Sequence, residues 1–167
     1  MDPMAGEQDD EALERATALF QRAYGLQMRG AYADAIRLYQ RSIETHPTAE
    51  AHTFLGWTYS MLGRHEQAIE ECRRAIEVDP DFGNPYNDIG AYLLELERWQ
   101  EALPWFDQAM AAPRYEARVY PYVNKGRALE HLGRAWEALE AYRQAMQISP
   151  DYQPARLAYH ALQGKLD

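Results

Sequence analysis

Three residue positions recur four times along this chain at helical spacing, and that recurrence leaves few folds open. The triplets are Ala35-Tyr39-Ser42, Ala68-Cys72-Ala75, Ala102-Phe106-Ala109 and Ala138-Tyr142-Ala145. Within each, the spacing puts all three side chains on one face of a helix. The lead alanines are 33, 34 and 36 residues apart (35 to 68, 68 to 102, 102 to 138). Self-similarity at such a period marks a stacked array of helical hairpins, in which each unit buries its apolar face only against its neighbours. Arrays of this kind bind along a surface and rarely catalyse.

Each triplet lies on the second helix of a hairpin, and the residues around it fit that placement. Gly56, Gly90 and Gly126 lie on the first helix, where a small residue lets two helices approach closely. Gly30, Gly63 and Gly133 fall where the first helix must stop, and glycine accepts the positive φ of a helix C-cap. Pro47, Pro80 and Pro150 end second helices, while Pro85, Pro121 and Pro154 suit the first turns of the helices that follow. Four departures stand out. Glu97 replaces the expected turn glycine, which predicts a differently shaped turn. Pro104 lies inside the third second helix and should bend it. The segment 111–118 carries two extra residues and predicts a longer loop. Residues 153–164 start one more helix without a partner, predicted to cap the array with Leu157 and Ala161 facing inward.

The pattern resembles the tetratricopeptide repeat, whose unit has Trp-x-x-Leu-Gly-x-x-Tyr in helix A and Ala-x-x-x-Phe-x-x-Ala…Pro in helix B. The second copy, 49–82, carries Leu55, Gly56, Tyr59, Gly63, Ala68, Ala75 and Pro80; the fourth, 119–152, carries Tyr122, Gly126, Leu129, Gly133, Ala138, Tyr142, Ala145 and Pro150. The third, 83–118, keeps Tyr86, Ile89, Gly90, Ala102, Phe106 and Ala109, and the first, 16–48, is clear in Gly30, Tyr32, Ala35, Tyr39 and Pro47. The resemblance implies an all-α fold, a right-handed superhelical array of antiparallel helix pairs. The repeats then fill a domain over 15–167, preceded by an acidic, flexible segment over 1–14.

Composition narrows the partners. The net charge is −9, and residues 1–14 hold six carboxylates with no Lys or Arg. An acidic molecule repels phosphate backbones, so nucleic acid is not an expected partner. No apolar run approaches the roughly 18 residues of a membrane span, and the acidic N-terminus does not read as a signal peptide. These point to the cytoplasm and to no membrane insertion. The 15 arginines against 2 lysines hint at a bacterial source. The one cysteine, Cys72, sits at a core position of a helix and reads as a buried small hydrophobe. The five histidines lack metal-ligand spacing, and no nucleophile elbow, Walker loop or dinucleotide fingerprint is present. Glu70 and Glu71 read as a solvated outer face. No metal, cofactor or catalytic residue is expected.

In tetratricopeptide superhelices helix A lines the concave face, so the resemblance assigns a ligand groove by position. Counted along this sequence, its first half presents Phe20, Tyr24, Met28, Thr53, Trp57 and Met61, an apolar and Met-rich set able to anchor partner side chains. The second half presents Asn84, Asn87, Tyr120, Asn124, Arg127 and His131, groups able to hydrogen-bond a peptide backbone or a carboxylate. The chaperone-binding branch of the family uses a Lys at the fifth and an Asn at the ninth position of helix A; those places hold Phe20/Tyr24, Thr53/Trp57, Asn87/Ala91 and Val123/Arg127 in the four copies, so that clamp is absent. The expected function is a non-catalytic adaptor that binds a peptide or protein segment. The alternative is a self-assembling scaffold, because Trp105 and Trp136 fall at helix B places that reach the outer surface.

Overall fold

The computed structural model describes residues 3–167, and nine α-helices follow one another in them: α1 Pro3–Met28, α2 Tyr32–Thr45, α3 Ala49–Met61, α4 His65–Val78, α5 Asn84–Glu95, α6 Trp99–Ala111, α7 Val119–His131, α8 Ala135–Ile148 and α9 Gln153–Leu166. The fold class is the expected all-α one. Helices α1–α4 form one compact unit up to Pro80, and α5–α9 form a second from Asp81 onward. In the first, α1 pairs with α2 and α3 with α4; in the second, α5 pairs with α6 and α7 with α8, and α9 packs on α8. Among the described residues no helix is long and apolar enough to cross a membrane.

The recurrent triplets are the seams of the pairs. Tyr39, Cys72, Phe106 and Tyr142 are sealed from solvent, as are the alanines that lead each triplet. The small residues on the facing helix are matched to them. A Cβ at Gly90 would lie 2.4 Å from Cε1 of Phe106, and one at Gly126 would lie 2.3 Å from Cε1 of Tyr142. In the second hairpin, where cysteine stands in the aromatic place, the space is used differently. The backbones close up, so that a Cβ on Gly56 would meet the Ala68 carbonyl at 2.9 Å. Interiors packed to this density do not absorb a methyl group without displacement.

All four hairpins turn in the same way. In each, the second residue after the helix donates to a carbonyl three back and the third to one five back, as in Gly63 to Ser60 (2.9 Å) and Arg64 to Tyr59 (3.0 Å). This is the Schellman arrangement, and it needs a left-handed residue. Gly30, Gly63 and Gly133 supply it with φ of 77°, 72° and 73°. Glu97 does not give the differently shaped turn that its identity predicts. It adopts φ 58° and makes the same bonds, Glu97 to Leu94 (3.0 Å) and Arg98 to Leu93 (2.9 Å). Packing on both sides of the hairpin dictates the turn, and the side chain bears a left-handed backbone that costs about 1 kcal/mol. Glu97→Gly should therefore raise the denaturation midpoint by the equivalent of about 0.5–1 kcal/mol; an unchanged or lowered midpoint in urea would contradict the strain.

Two other expectations are revised, at the N-terminal segment and in the capping helix. Residues 3–14, expected as a lead-in, form the first turns of α1, and the side chains of residues 4–14 are exposed apart from part-buried Ala12; residues 1 and 2 lie outside the described residues. Helix α6 runs on through Pro104, whose place faces solvent. Helix α9 buries Ala155 and Leu162, whereas Leu157 is 68% exposed and Ala161 is exposed as well. Those buried residues are seven apart, two helical turns, and Leu157 lies on the opposite side of the helix.

The long segment after α6 is tightly organised. Arg118 donates to the carbonyls of Met110 (2.7 Å), Ala112 (2.6 Å) and Pro113 (3.2 Å), which curls the segment on itself. The curl then clasps the entry to α5. Gly83 donates to the Arg114 carbonyl (2.9 Å), the Arg114 amide donates to Asp81 (3.0 Å), and the Arg114 guanidinium sits 4.6 Å over the Phe82 ring. The Tyr115 side chain lies on Gly83, where an added Cβ would come within 2.5 Å of the Tyr115 Cβ and 2.6 Å of its ring Cγ.

Candidate functional site

In the first unit, the helix A positions bring five large apolar side chains to the surface. Tyr24 and Trp57 stand on either side of Phe54, edge-on, with ring centroids 5.6 and 5.8 Å away. Phe20 meets the same ring at 5.3 Å from beneath and continues to the buried Tyr39 at 5.6 Å. Met28 and Met61 stand one helical turn beyond Tyr24 and Trp57. Tyr24, Met28, Trp57 and Met61 keep 42%, 50%, 37% and 51% of their surface in water. Phe54, the hub of the strip, was not among the residues assigned by position; its spacing of three from Trp57 and seven from Met61 is the signal that could have found it. Thr53 is not on this surface. It is buried and its hydroxyl donates to the Ala49 carbonyl (2.7 Å), within its own helix.

Below the strip lies a buried polar contact. The Tyr39 hydroxyl donates to Gln27 Oε1 at 2.6 Å, while Gln27 Nε2 has no partner among the described residues. Burial pushes the Tyr39 hydroxyl well above the usual phenol range, with nearby Tyr24 adding to it. Beside Phe20 a cleft of about 260 Å³ is lined by Leu13, Thr17, Gln21, Thr48 and Glu50.

In the second unit, the polar positions form a chain. Asn124 Nδ2 donates to Oδ1 of Asn87 (3.1 Å), and Arg127 donates to Oδ1 of Asn124 (3.3 Å). Asn87 is buried and so anchors the chain rather than offering itself to a ligand; Asn84 is half-buried at the start of α5. His131 stacks on the Trp99 indole at 3.9 Å with the rings 3° from parallel. Trp99, Asn124, Arg127 and His131 line a cavity of about 400 Å³ together with Ala91, Leu94, Glu95 and Glu97. Tyr120 lies away from it, exposed and edge-on to Tyr152 at 5.6 Å.

Two groups elsewhere differ from their expected settings. Glu71 and His52 are buried, not on a solvated face. His52 Nδ1 lies 2.8 Å from Glu71, and Arg74 donates to the same carboxylate at 2.7 Å. A buried polar cluster hydrogen-bonded in this way ties α3 to α4. Trp105 is part-buried against Tyr86, at 6.3 Å, whereas Trp136 is 73% exposed on α8. Cys72 is buried, as expected. Among the described residues no three His, Cys, Asp or Glu side chains are grouped to hold a metal ion.

Comparison with known proteins agrees with this architecture. Models of the tetratricopeptide repeat match residues 17–49, 49–82 and 81–151, which together span most of the chain. The small glutamine-rich tetratricopeptide repeat-containing protein 2 of Mycosarcoma maydis is 31% identical over 104 residues, 60% of this chain and 29% of that protein. The Hsp70-Hsp90 organizing protein 1 of Glycine max is 26% identical over 102 residues, 60% of this chain and 17% of that protein. The chain thus spans less than a third of the length of these curated relatives. Among solved structures, Pseudomonas aeruginosa pilF superposes with a TM-score of 0.84 at 24% identity, over 94% of this chain and 70% of that one. MamA superposes with 0.74 at 24% identity, over 91% and 83%. YrrB, described as having an unusual peptide-binding site, gives 0.71 at 20% identity, over 86% and 73%.

Proposed function

Because this chain belongs to the tetratricopeptide repeat family, whose members serve as protein-interaction modules, we propose that it is an adaptor that docks a peptide or protein segment on its helix A faces. The observation that carries the reading is the strip of Tyr24, Phe54 and Trp57 flanked by Met28 and Met61. Large aromatic side chains held edge-on by a packed hub are already ordered, so a partner that covers them loses little side-chain freedom in doing so. The two methionines adapt to the shape of what is bound. The peptide-binding site named for YrrB, a protein of the same fold, supports the same use. No residue is assigned a catalytic role.

The test is to isolate the partner with the intact chain and measure its affinity for single variants. Trp57→Ala and Tyr24→Ala should each weaken binding by about tenfold or more, the range of an anchoring aromatic, with helicity unchanged. Undiminished affinity in both would remove the strip from the function. A second reading is self-association, favoured by Trp136, whose indole is the most exposed of the large apolar side chains. Light scattering across the micromolar range separates the two: a mass that grows with concentration and reverts in Trp136→Ala supports assembly, and a constant monomer mass rejects it.

A further inference from the structure

The second unit carries a pocket that neither the apolar strip nor the repeat signature explains. Arg127, Glu130, His131 and Lys165 line a cavity of about 330 Å³, which shares Arg127 and His131 with the larger cavity of about 400 Å³. Lys165 comes from the last turn of α9, so the capping helix contributes to the pocket as well as closing the core. The chain is acidic overall, at −9. Yet Arg127, His131 and Lys165 have no ion-pair partner among the described residues. The one carboxylate in the lining, Glu130, already accepts the Tyr142 hydroxyl at 2.5 Å.

Two of the three basic side chains are held in place. The Asn87–Asn124 chain fixes the Arg127 guanidinium at one end, and stacking on Trp99 fixes the plane of His131. Donors ordered before binding and without a direct ion-pair partner suit an oxyanion. The opposite side of the shared wall has the opposite charge. Glu95 and Glu97 line the larger cavity, and neither makes an ion pair or hydrogen bond through its side chain among the described residues. A second acidic group lying there would be repelled, and a basic one attracted.

We propose that the Arg127–His131–Lys165 pocket receives one carboxylate of a partner segment, and that Glu95 and Glu97 select a basic residue next to it. The inference rests on the peptide-docking reading only for the source of the carboxylate. A site of this charge pattern rejects a second acid beside the first.

The experiment uses the full chain, labelled for NMR, with the Trp99 indole N–H as reporter and low salt. The probes are four capped hexapeptides of neutral residues carrying an Asp–Lys, a Lys–Asp, an Asp–Asp or an Asn–Lys pair, and inorganic phosphate. A saturable shift with one or both of the Asp/Lys peptides, and affinity about fivefold weaker for Asp–Asp and Asn–Lys, is the expected result. Lys165→Ala should weaken the Asp/Lys peptides by a similar factor and leave Asn–Lys unchanged, and Glu95→Gln with Glu97→Gln should bring Asp–Asp up toward them. Trp57→Ala should change none of these affinities. The proposal is overturned if neither Asp/Lys peptide saturates by millimolar concentration, if Asn–Lys binds as well, if Lys165→Ala has no effect, or if phosphate displaces the peptides at equal concentration. Any of those outcomes, alongside a partner that still needs Trp57, removes this pocket and leaves the apolar surface standing.

Discussion

Phe106→Ala is expected to destabilise the protein by about 4 kcal/mol, within the range for truncating a fully buried aromatic. The ring is sealed from solvent at the seam of α5 and α6, with its edge against Gly90. Gly90→Ala, taken alone, should cost about 2 kcal/mol. The added methyl would sit 2.4 Å from the ring, and the overpacking exceeds the roughly 1 kcal/mol that alanine gains over glycine in a helix. The double variant carries the sharper expectation. With the ring gone, the methyl enters space that has been vacated, so the pair should cost at least about 1 kcal/mol less than the sum of the singles. Urea denaturation of the three variants measures the coupling, and strict additivity would mean that the glycine and the ring do not define each other's space.

The second large effect is a dependence on pH. Asp88, part-buried on α5, has its carboxyl pushed up by burial to about 7, with a hydrogen bond from Asn87 opposing the rise. Tyr115, in the clasping segment, is raised too, first by its own burial and then by the charge of Asp88. In the unfolded chain Asp88 ionises near 3.8. Below that value the residue is protonated in both states and makes no difference. Between about 4 and 7 the unfolded chain loses the proton and the folded one keeps it, so stability falls as pH rises; above 7 the loss is complete. A shift of about three units corresponds to at most ~4 kcal/mol, and the residual contact with water reduces this to about 2 kcal/mol. Asp88→Asn should therefore be more stable than the parent at pH 8 by about that amount and equal to it near pH 4. A variant whose stability parallels the parent across this range would show that Asp88 is not the group responsible.

Much of the architecture was legible because it repeats. The triplets led by Ala35, Ala68, Ala102 and Ala138 each announced a seam, and each seam is buried. The glycines on the facing helices foretold the close approach at Phe106 and Tyr142. What one hairpin does against its own repeat was harder to read. Glu97 shows that tertiary packing outweighs the backbone preference of a single residue. Leu157 shows that the phase of a lone capping helix is set by what it packs on, and counting apolar residues alone misplaced it by two. Glu71 looked solvated because its partner His52 lies 19 residues earlier on another helix. Position along helix A points to Tyr24, Trp57 and Arg127, which are exposed, but not to Phe54, Trp99 and Lys165, which adjoin them. Those three come from a neighbouring helical position, from helix B and from the cap, places that a rule for helix A does not reach.

The clasp between residues 81–83 and 112–118 bears on how this chain could be recombined. Repeat proteins are commonly treated as strings of interchangeable beads, to be cut and rejoined at the same register in every copy. The third bead has a buckle: its entry strand-like segment and its exit loop hold each other through the Gly83–Arg114 and Arg114–Asp81 bonds. A graft that takes residues 83–111 by simple register would carry one half of the fastening and leave the other behind. Transplanting the third repeat intact means moving residues 81–118 as one cassette, and the natural place to splice or lengthen the array lies outside those limits.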